Sequence, residues 1–159
     1  RAKGQLGEAI QQLNEIVEVF QGDEGAWQEL AELHERLGHV DAAAFCVEEL
    51  ILLAPANHVY HCRLAELYSC ARNARLVDAR KHLAQSLKIA PRYPRALHCL
   101  VHVSYAIACE AAGKGRGVDL EVNRAMWEYG RDELLAVYAD SPLRSAMAAM
   151  LARQEEVIL

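Results

Sequence analysis

Apolar residues recur every three or four positions along most of this chain, the spacing that lines up one face of an α-helix. Leu6, Ile10, Leu13, Ile16, Val17 and Phe20 form the first such stripe; Gly22 can end it and Asp23 can cap the next helix. Around 26–37 the stripe is Trp27, Leu30, Ala31 and Leu33, and Gly38 stops it. Asp41 is placed to cap a helix over 42–53 that Pro55 closes. Further helices are predicted at 58–71, at 76–90 before Pro91, from Pro94 to about 112, at 119–138 and at 143–157. Arg72–Arg75 reads as a short turn, and Ser141-Pro142 places a cap before a proline in a first helical position. The chain is expected to be all-α, made of short helices joined by short turns.

Such a series calls for a search for a repeat. Taking Glu24 as position 1, Trp27, Leu30, Ala31, Ala43 and Pro55 fall at positions 4, 7, 8, 20 and 32 of a tetratricopeptide repeat. A second unit from His58 offers Leu64, Ala65 and Tyr68, then, with two extra residues in its turn, Ala79, Leu83, Ser86 and Pro91. Ala9, Leu13 and Ile16 suit the second helix of an earlier unit, and Leu97, Leu100 and Val101 begin another at Pro94. That unit's second helix comes late, with Leu134, Val137 and Pro142 beyond the glycine-rich stretch 113–117. Small residues at positions 8 and 20 let paired helices approach, larger ones fill the space between, and each pair leaves an apolar face for the next. The predicted organisation is one tetratricopeptide-repeat α-solenoid over 1–159, with antiparallel pairs stacked in a right-handed superhelix. It divides into a partial repeat at 2–22, repeats at 24–57 and 58–93, an irregular repeat at 94–142 and a C-terminal helix at 143–159.

Composition agrees with helix. Of 159 residues 53% are hydrophobic and 25% charged, proline is sparse at four, and threonine is absent. The net charge of −5 disfavours general nucleic-acid binding. It is unevenly spread: residues 1–70 hold twelve acidic and four basic side chains, residues 71–159 ten and thirteen. Cys46, Cys62, Cys70, Cys99 and Cys109 are odd in number and never spaced C-x-x-C, so buried free thiols are expected rather than a disulfide framework. No apolar run is long enough to span a bilayer. Arg1 in place of a starting Met suggests a piece of a longer chain.

Catalytic and cofactor motifs are weak. His98 and His102 stand i, i+4 and His58 and His61 i, i+3, but no third ligand has a recognisable spacing, so neither a metal nor any other cofactor is expected. In Gly113-Lys114-Gly115 the lysine is followed by glycine and a helix precedes it, which suits a linker and not a phosphate loop. No nucleophile–base arrangement emerges, and Trp27 and Trp127 read as core anchors. The chain is not expected to be an enzyme.

In a repeat superhelix the first helix of each pair lines the concave face. By register that face holds Gln28, Glu32, Glu35 and Arg36, then Val59, Cys62, Glu66, Ser69 and Cys70, then Arg95, His98, His102 and Tyr105. It is expected to bind a partner's segments, with Glu32, Glu35 and Glu66 meeting basic groups. Peptide clamps of this superfamily grip a terminal carboxylate with a basic residue at position 5 and Asn at position 9. Gln28 and Glu32 stand there, which weakens the alternative of a peptide-binding adaptor or co-chaperone.

Four stretches go further than a generic repeat: Lys3-Gly-Gln-Leu-Gly-Glu-Ala-Ile-Gln-Gln-Leu-Asn14, Trp27-Gln-Glu-Leu-Ala-Glu-Leu33, Ala43-Ala-Phe-Cys-Val-Glu-Glu-Leu50 and Pro55-Ala-Asn-His-Val-Tyr60. Over roughly residues 2–100 the chain resembles the family of subunit 2 of the endoplasmic reticulum membrane protein complex. His34 stands where that family is expected to carry an aromatic residue. The resemblance implies a non-catalytic, cytosol-facing scaffold. It would be peripheral on the endoplasmic reticulum membrane, holding cytosolic parts of membrane subunits 3 and 5 and docking the soluble subunit 8 or 9. The complex so assembled would insert tail-anchored and multi-spanning proteins.

Overall fold

In the computed structural model, which describes residues 2–114 and 119–158, every element among the described residues is an α-helix. After α1 (Ala2–Val19) come the pairs α2 (Glu24–Leu37) with α3 (Val40–Leu53), α4 (His58–Cys70) with α5 (Leu76–Ile89), and α6 (Pro94–Lys114) with α7 (Leu120–Val137); α8 (Arg144–Ile158) follows. Each helix packs on its predecessor, α4 also meets α6, and α8 rests on both α6 and α7. Contacts thus run mainly between neighbours in sequence, the signature of a repeat stack.

Local chemistry sets the helix ends. Asp23 accepts a hydrogen bond from the Ala26 N–H at 3.0 Å, and Asp119 does the same for Val122 at 3.0 Å. Gly38 has φ +75°, the left-handed region open to glycine, and its N–H returns to the Glu35 carbonyl at 3.0 Å. Two expected caps are displaced. The helix begins at Val40 with His39 at its cap, so Asp41 lies inside the first turn, where its charge meets the positive end of the helix dipole instead of an N–H. Ser141 accepts from the Leu143 N–H at 3.2 Å, but α8 begins only at Arg144, which leaves Pro142 in the turn before it. Asn57, unnoticed in the sequence, caps α4 through the Val59 N–H at 3.1 Å. Gly113 and Lys114 continue α6 beyond the predicted end at 112; the rest of the glycine-rich stretch lies outside the described residues.

Ala31 and Ala43 in the first pair, and Ala65 and Ala79 in the second, are fully buried. Their missing bulk lets the backbones approach, while Leu30, Leu64 and Leu83 fill the space alongside. Trp27 is buried, its indole N–H donating to the Gln21 carbonyl at 2.9 Å. Tyr68 is buried with its hydroxyl donating to Glu48, and Ser86 donates to the His58 carbonyl at 2.8 Å. Pro55 and Pro91 lie exposed in the turns between pairs.

The third pair solves the same problem differently. Position 8 carries Val101, and Gly130 of α7 faces it: a Cβ at Gly130 would lie 2.8 Å from Val101 Cγ2 and 3.6 Å from Leu100 Cδ2. Leu134 follows Gly130 by four residues, as Leu83 follows Ala79, so Gly130 takes the place of the second small residue. Trp127 is fully buried and donates to Gln154 of α8 at 3.2 Å.

Two expectations of burial fail. Ile16 and Phe20 belong to the first apolar stripe, yet they are 41% and 65% exposed, because α2 covers only the Leu13–Val17 side of α1. Cys70 and Cys109 are exposed, at or near helix ends, while Cys46 and Cys62 are buried and Cys99 half-buried.

Candidate partner-binding site

The first helices of the pairs are tied together by side chains. Between α2 and α4, Tyr60 donates to Glu24 and receives from Gln28, while Arg63 donates to Glu35 at 2.8 Å. Between α4 and α6, Arg95 grips Glu66 through two bonds of 2.6 Å, a bidentate pair. That pairing raises the Arg95 pKa further, so the guanidinium is permanently charged. Below these pairs lies a hollow of about 250 Å³ lined by Glu35, Val40, Arg63, Glu66, Leu67, Cys70 and Arg95. A second, open hollow shares Val40 and Cys70 with it and continues past Gly38, His39 and Asp41 to Arg72. The two meet at Val40 and the exposed Cys70 thiol as one groove, mainly apolar beneath the charged rim in the first part and mixed polar and apolar in the second.

The predicted face separates into engaged and open residues. Glu32, Arg36 and His102 are exposed, with no ion pair or side-chain hydrogen bond to any described residue. Gln28, Glu35 and Glu66 are already bonded as above, and Ser69 is half-buried with its hydroxyl donating to the Glu66 carbonyl at 2.8 Å. His98 pairs with the Tyr138 hydroxyl at 3.0 Å, and burial lowers its pKa, so it is neutral near pH 7. Tyr105 is half-buried. Cys62 is the one placed differently from its register: at 1% exposure it is sealed between α4 and α6 beside Glu66, so it packs and does not face the groove. Arg63, which the repeat register did not single out, is part of the rim because its long side chain crosses to α2.

Reactive chemistry is suppressed at the covered thiols. Burial pushes the Cys46 thiol up to about 11 and those of Cys62 and Cys99 to about 12, so all three stay protonated and weakly nucleophilic. Among the described residues no group of three or more His, Cys, Asp or Glu side chains is arranged to hold a metal ion. Among them, too, no helix is long and apolar enough to cross a membrane. The arrangement can bind through apolar contact and charge.

The sequence model described as the EMC2 TPR-like repeat domain matches residues 1–89, more than half of the chain. The chain belongs to the EMC2 TPR-like repeat family. Within that family it is 40% identical to ER membrane protein complex subunit 2-B of Xenopus laevis over 128 residues, covering 80% of this chain and 43% of the relative. The subunit 2 of Dictyostelium discoideum is 36% identical over 61 residues, covering 38% of this chain and 19% of that protein. The chain therefore spans less than half the length of the curated EMC2 relatives it matches. Among solved structures, the MamA protein superposes with a TM-score of 0.63 at 12% identity, over 99% of this chain and 85% of that one. A protein from Bacteroides ovatus gives 0.61 at 17%, over 99% and 94%. Identities so low speak for the shared helical-repeat fold alone.

Proposed function

We propose that this chain is a non-catalytic scaffold within the endoplasmic reticulum membrane protein complex. It lies on the cytosolic side, peripheral to the membrane through its partners. Its first-helix face holds cytosolic segments of membrane subunits 3 and 5, and it docks the soluble subunit 8 or 9. Through that assembly it serves insertion of tail-anchored and multi-spanning proteins. The observation that carries the reading is the family match over residues 1–89 together with 40% identity to a subunit 2. The groove supports it: its rim pairs, Glu35–Arg63 and Glu66–Arg95, are partly exposed, so exchanging one partner for a basic or acidic group of an incoming segment is inexpensive. Glu32 and Arg36 add unengaged charges on the same first helices.

The test is co-purification from cells with the complex's subunits identified by mass. Glu32→Lys combined with Glu66→Lys is expected to lower recovery of the membrane subunits severalfold, with Glu66→Gln as the control for loss of the Arg95 pair alone. Undiminished recovery in the double charge reversal removes these residues from the interface.

A further inference from the structure

On the other side of the stack, away from the first-helix groove, a separate hollow lies between α5 and α7. Ala84, Leu87 and Lys88 of α5, Leu100 of α6, and Met126 and Tyr129 of α7 line a cavity of about 220 Å³. Its walls are almost wholly apolar. It is smaller than the roughly 300–1,000 Å³ of small-molecule sites, so its size suits one or two side chains and not a cofactor.

The α5 side of the cavity is basic, while Glu133 stands beside the Tyr129 wall on α7. Lys88 lends its aliphatic stem to the wall and forms no ion pair with any described residue. Arg80 lies two turns earlier on the same face of α5. It is only 8% exposed and its one hydrogen bond to a described residue is to Asn123 Oδ1, at 2.9 Å. Among the described residues no carboxylate lies within ion-pair distance of it, an uncommon state for a buried guanidinium. Asn123 is fixed in turn by its bond to the Ser104 carbonyl at 2.9 Å, and the buried Ser104 hydroxyl has no described partner. Along α7, Glu128 is engaged by Arg124 at 2.9 Å and Asp132 by Arg131 at 2.8 Å; Glu133 lies 3.6 Å from Arg92 with its Oε2 hydrogen-bonded to no described residue, and Glu121 forms no ion pair with one. Asp119, at the cap of α7, is the one carboxylate whose field reaches Arg80.

We propose that this groove docks an acidic amphipathic helix of a partner protein, an apolar side chain entering between α5 and α7 and two carboxylates meeting Arg80 and Lys88. Eight residues separate the two cations, about 12 Å along α5. A helix with Glu at i and i+8 and Leu at i+4 presents the matching pattern on one face. Apart from Leu100 of α6 this surface is built from the second helices α5 and α7, and it shares no lining residue with the first-helix groove, which stays free for other segments.

The test uses the intact chain and a fluorescein-labelled, 18-residue helical peptide carrying Glu, Leu and Glu at that spacing, read by anisotropy. Saturable binding is expected. Replacing both Glu by Lys, or the Leu by Ser, weakens it at least tenfold. Lys88→Glu, at an exposed position that leaves folding intact, weakens the acidic peptide and improves a peptide with Lys facing position 88. Arg80→Gln is compared after its melting curve confirms a folded chain. No saturable binding, equal binding of the Glu and Lys peptides, or indifference to Lys88→Glu overturns the proposal. So does a groove occupied instead by a second copy, seen as self-association lost in Lys88→Glu, or by anionic phosphatidylserine vesicles with the same dependence. None of these outcomes bears on co-purification of the complex through the opposite face.

Discussion

The second and third helix pairs make room for two packed backbones by different distributions of bulk. In α4–α5 the facing positions are Ala65 and Ala79, both fully buried, so each helix yields the same small amount of space. In α6–α7 the first helix keeps a valine, Val101, and the second yields everything at Gly130, where a Cβ would come within 2.8 Å of that valine. A repeat therefore fixes the sum of two side-chain volumes more firmly than either residue. The third pair looks irregular in sequence because its share is divided unevenly and its first helix is 21 residues long against 13 in α4.

The largest effects should come from what the two pairs have in common. Leu64→Ala in the second pair and Leu100→Ala in the third each remove a fully buried side chain, and each should lower unfolding free energy by about 2–5 kcal/mol in urea titrations. A much smaller loss in one would show that pair to be loosely packed.

The asymmetry itself is the next target. Gly130→Ala should destabilise by about 1–3 kcal/mol, since the stiff Val101 side chain must give way. In a Val101→Ala background the same change should be neutral or stabilising, because alanine is the better helix former. Ala65→Val should be costly in the same range and be relieved by Ala79→Gly, which recreates the third pair's division inside the second. Additivity in both double-mutant cycles would refute the shared-volume rule.

Acid should weaken the second pair further. His61 Nε2 lies 3.0 Å from the Pro55 carbonyl, which can only accept, so the proton sits on Nε2 and His61 Nδ1 receives one from His82 Nδ1 at 3.2 Å. Burial first, then the neighbouring His61, lowers the His82 pKa, although Asp78 and Glu48 act the other way and Arg75 lowers it slightly. The folded chain thus holds His82 neutral where the unfolded chain binds a proton, and the associated stability is complete above about pH 6.5 and falls as pH drops below it. Melting temperature should decline from pH 7 to pH 5, and His82→Gln should flatten that decline; an unchanged slope would deny the pair this role.

The smallest effect is expected at the rim. Arg95→Ala removes an exposed bidentate pair and should change stability by less than about 1 kcal/mol, so any large loss of partner recovery in that variant reports binding and not folding.

Much of this was legible in the chain. Asp23 and Gly38 announce helix ends through local chemistry, and the paired alanines at fixed spacing announce where helices touch. Asp41 misled because the chain enters α3 two residues early, at His39, without a side-chain cap. Gly130 was missed because it lies far from the expected repeat position once the intervening segment lengthens. The site was less legible. A register tells which way a residue points, but whether Glu66 is free depends on Arg95, twenty-nine residues away, and whether Cys62 is open depends on how closely α6 settles on α4.

Affinity purification of the tagged chain from detergent-solubilised endoplasmic reticulum membranes, with bound proteins identified by mass, tests the scaffold reading most directly. Stoichiometric recovery of the complex's membrane subunits and a soluble subunit is the predicted result. Recovery of chaperones without those subunits would contradict it.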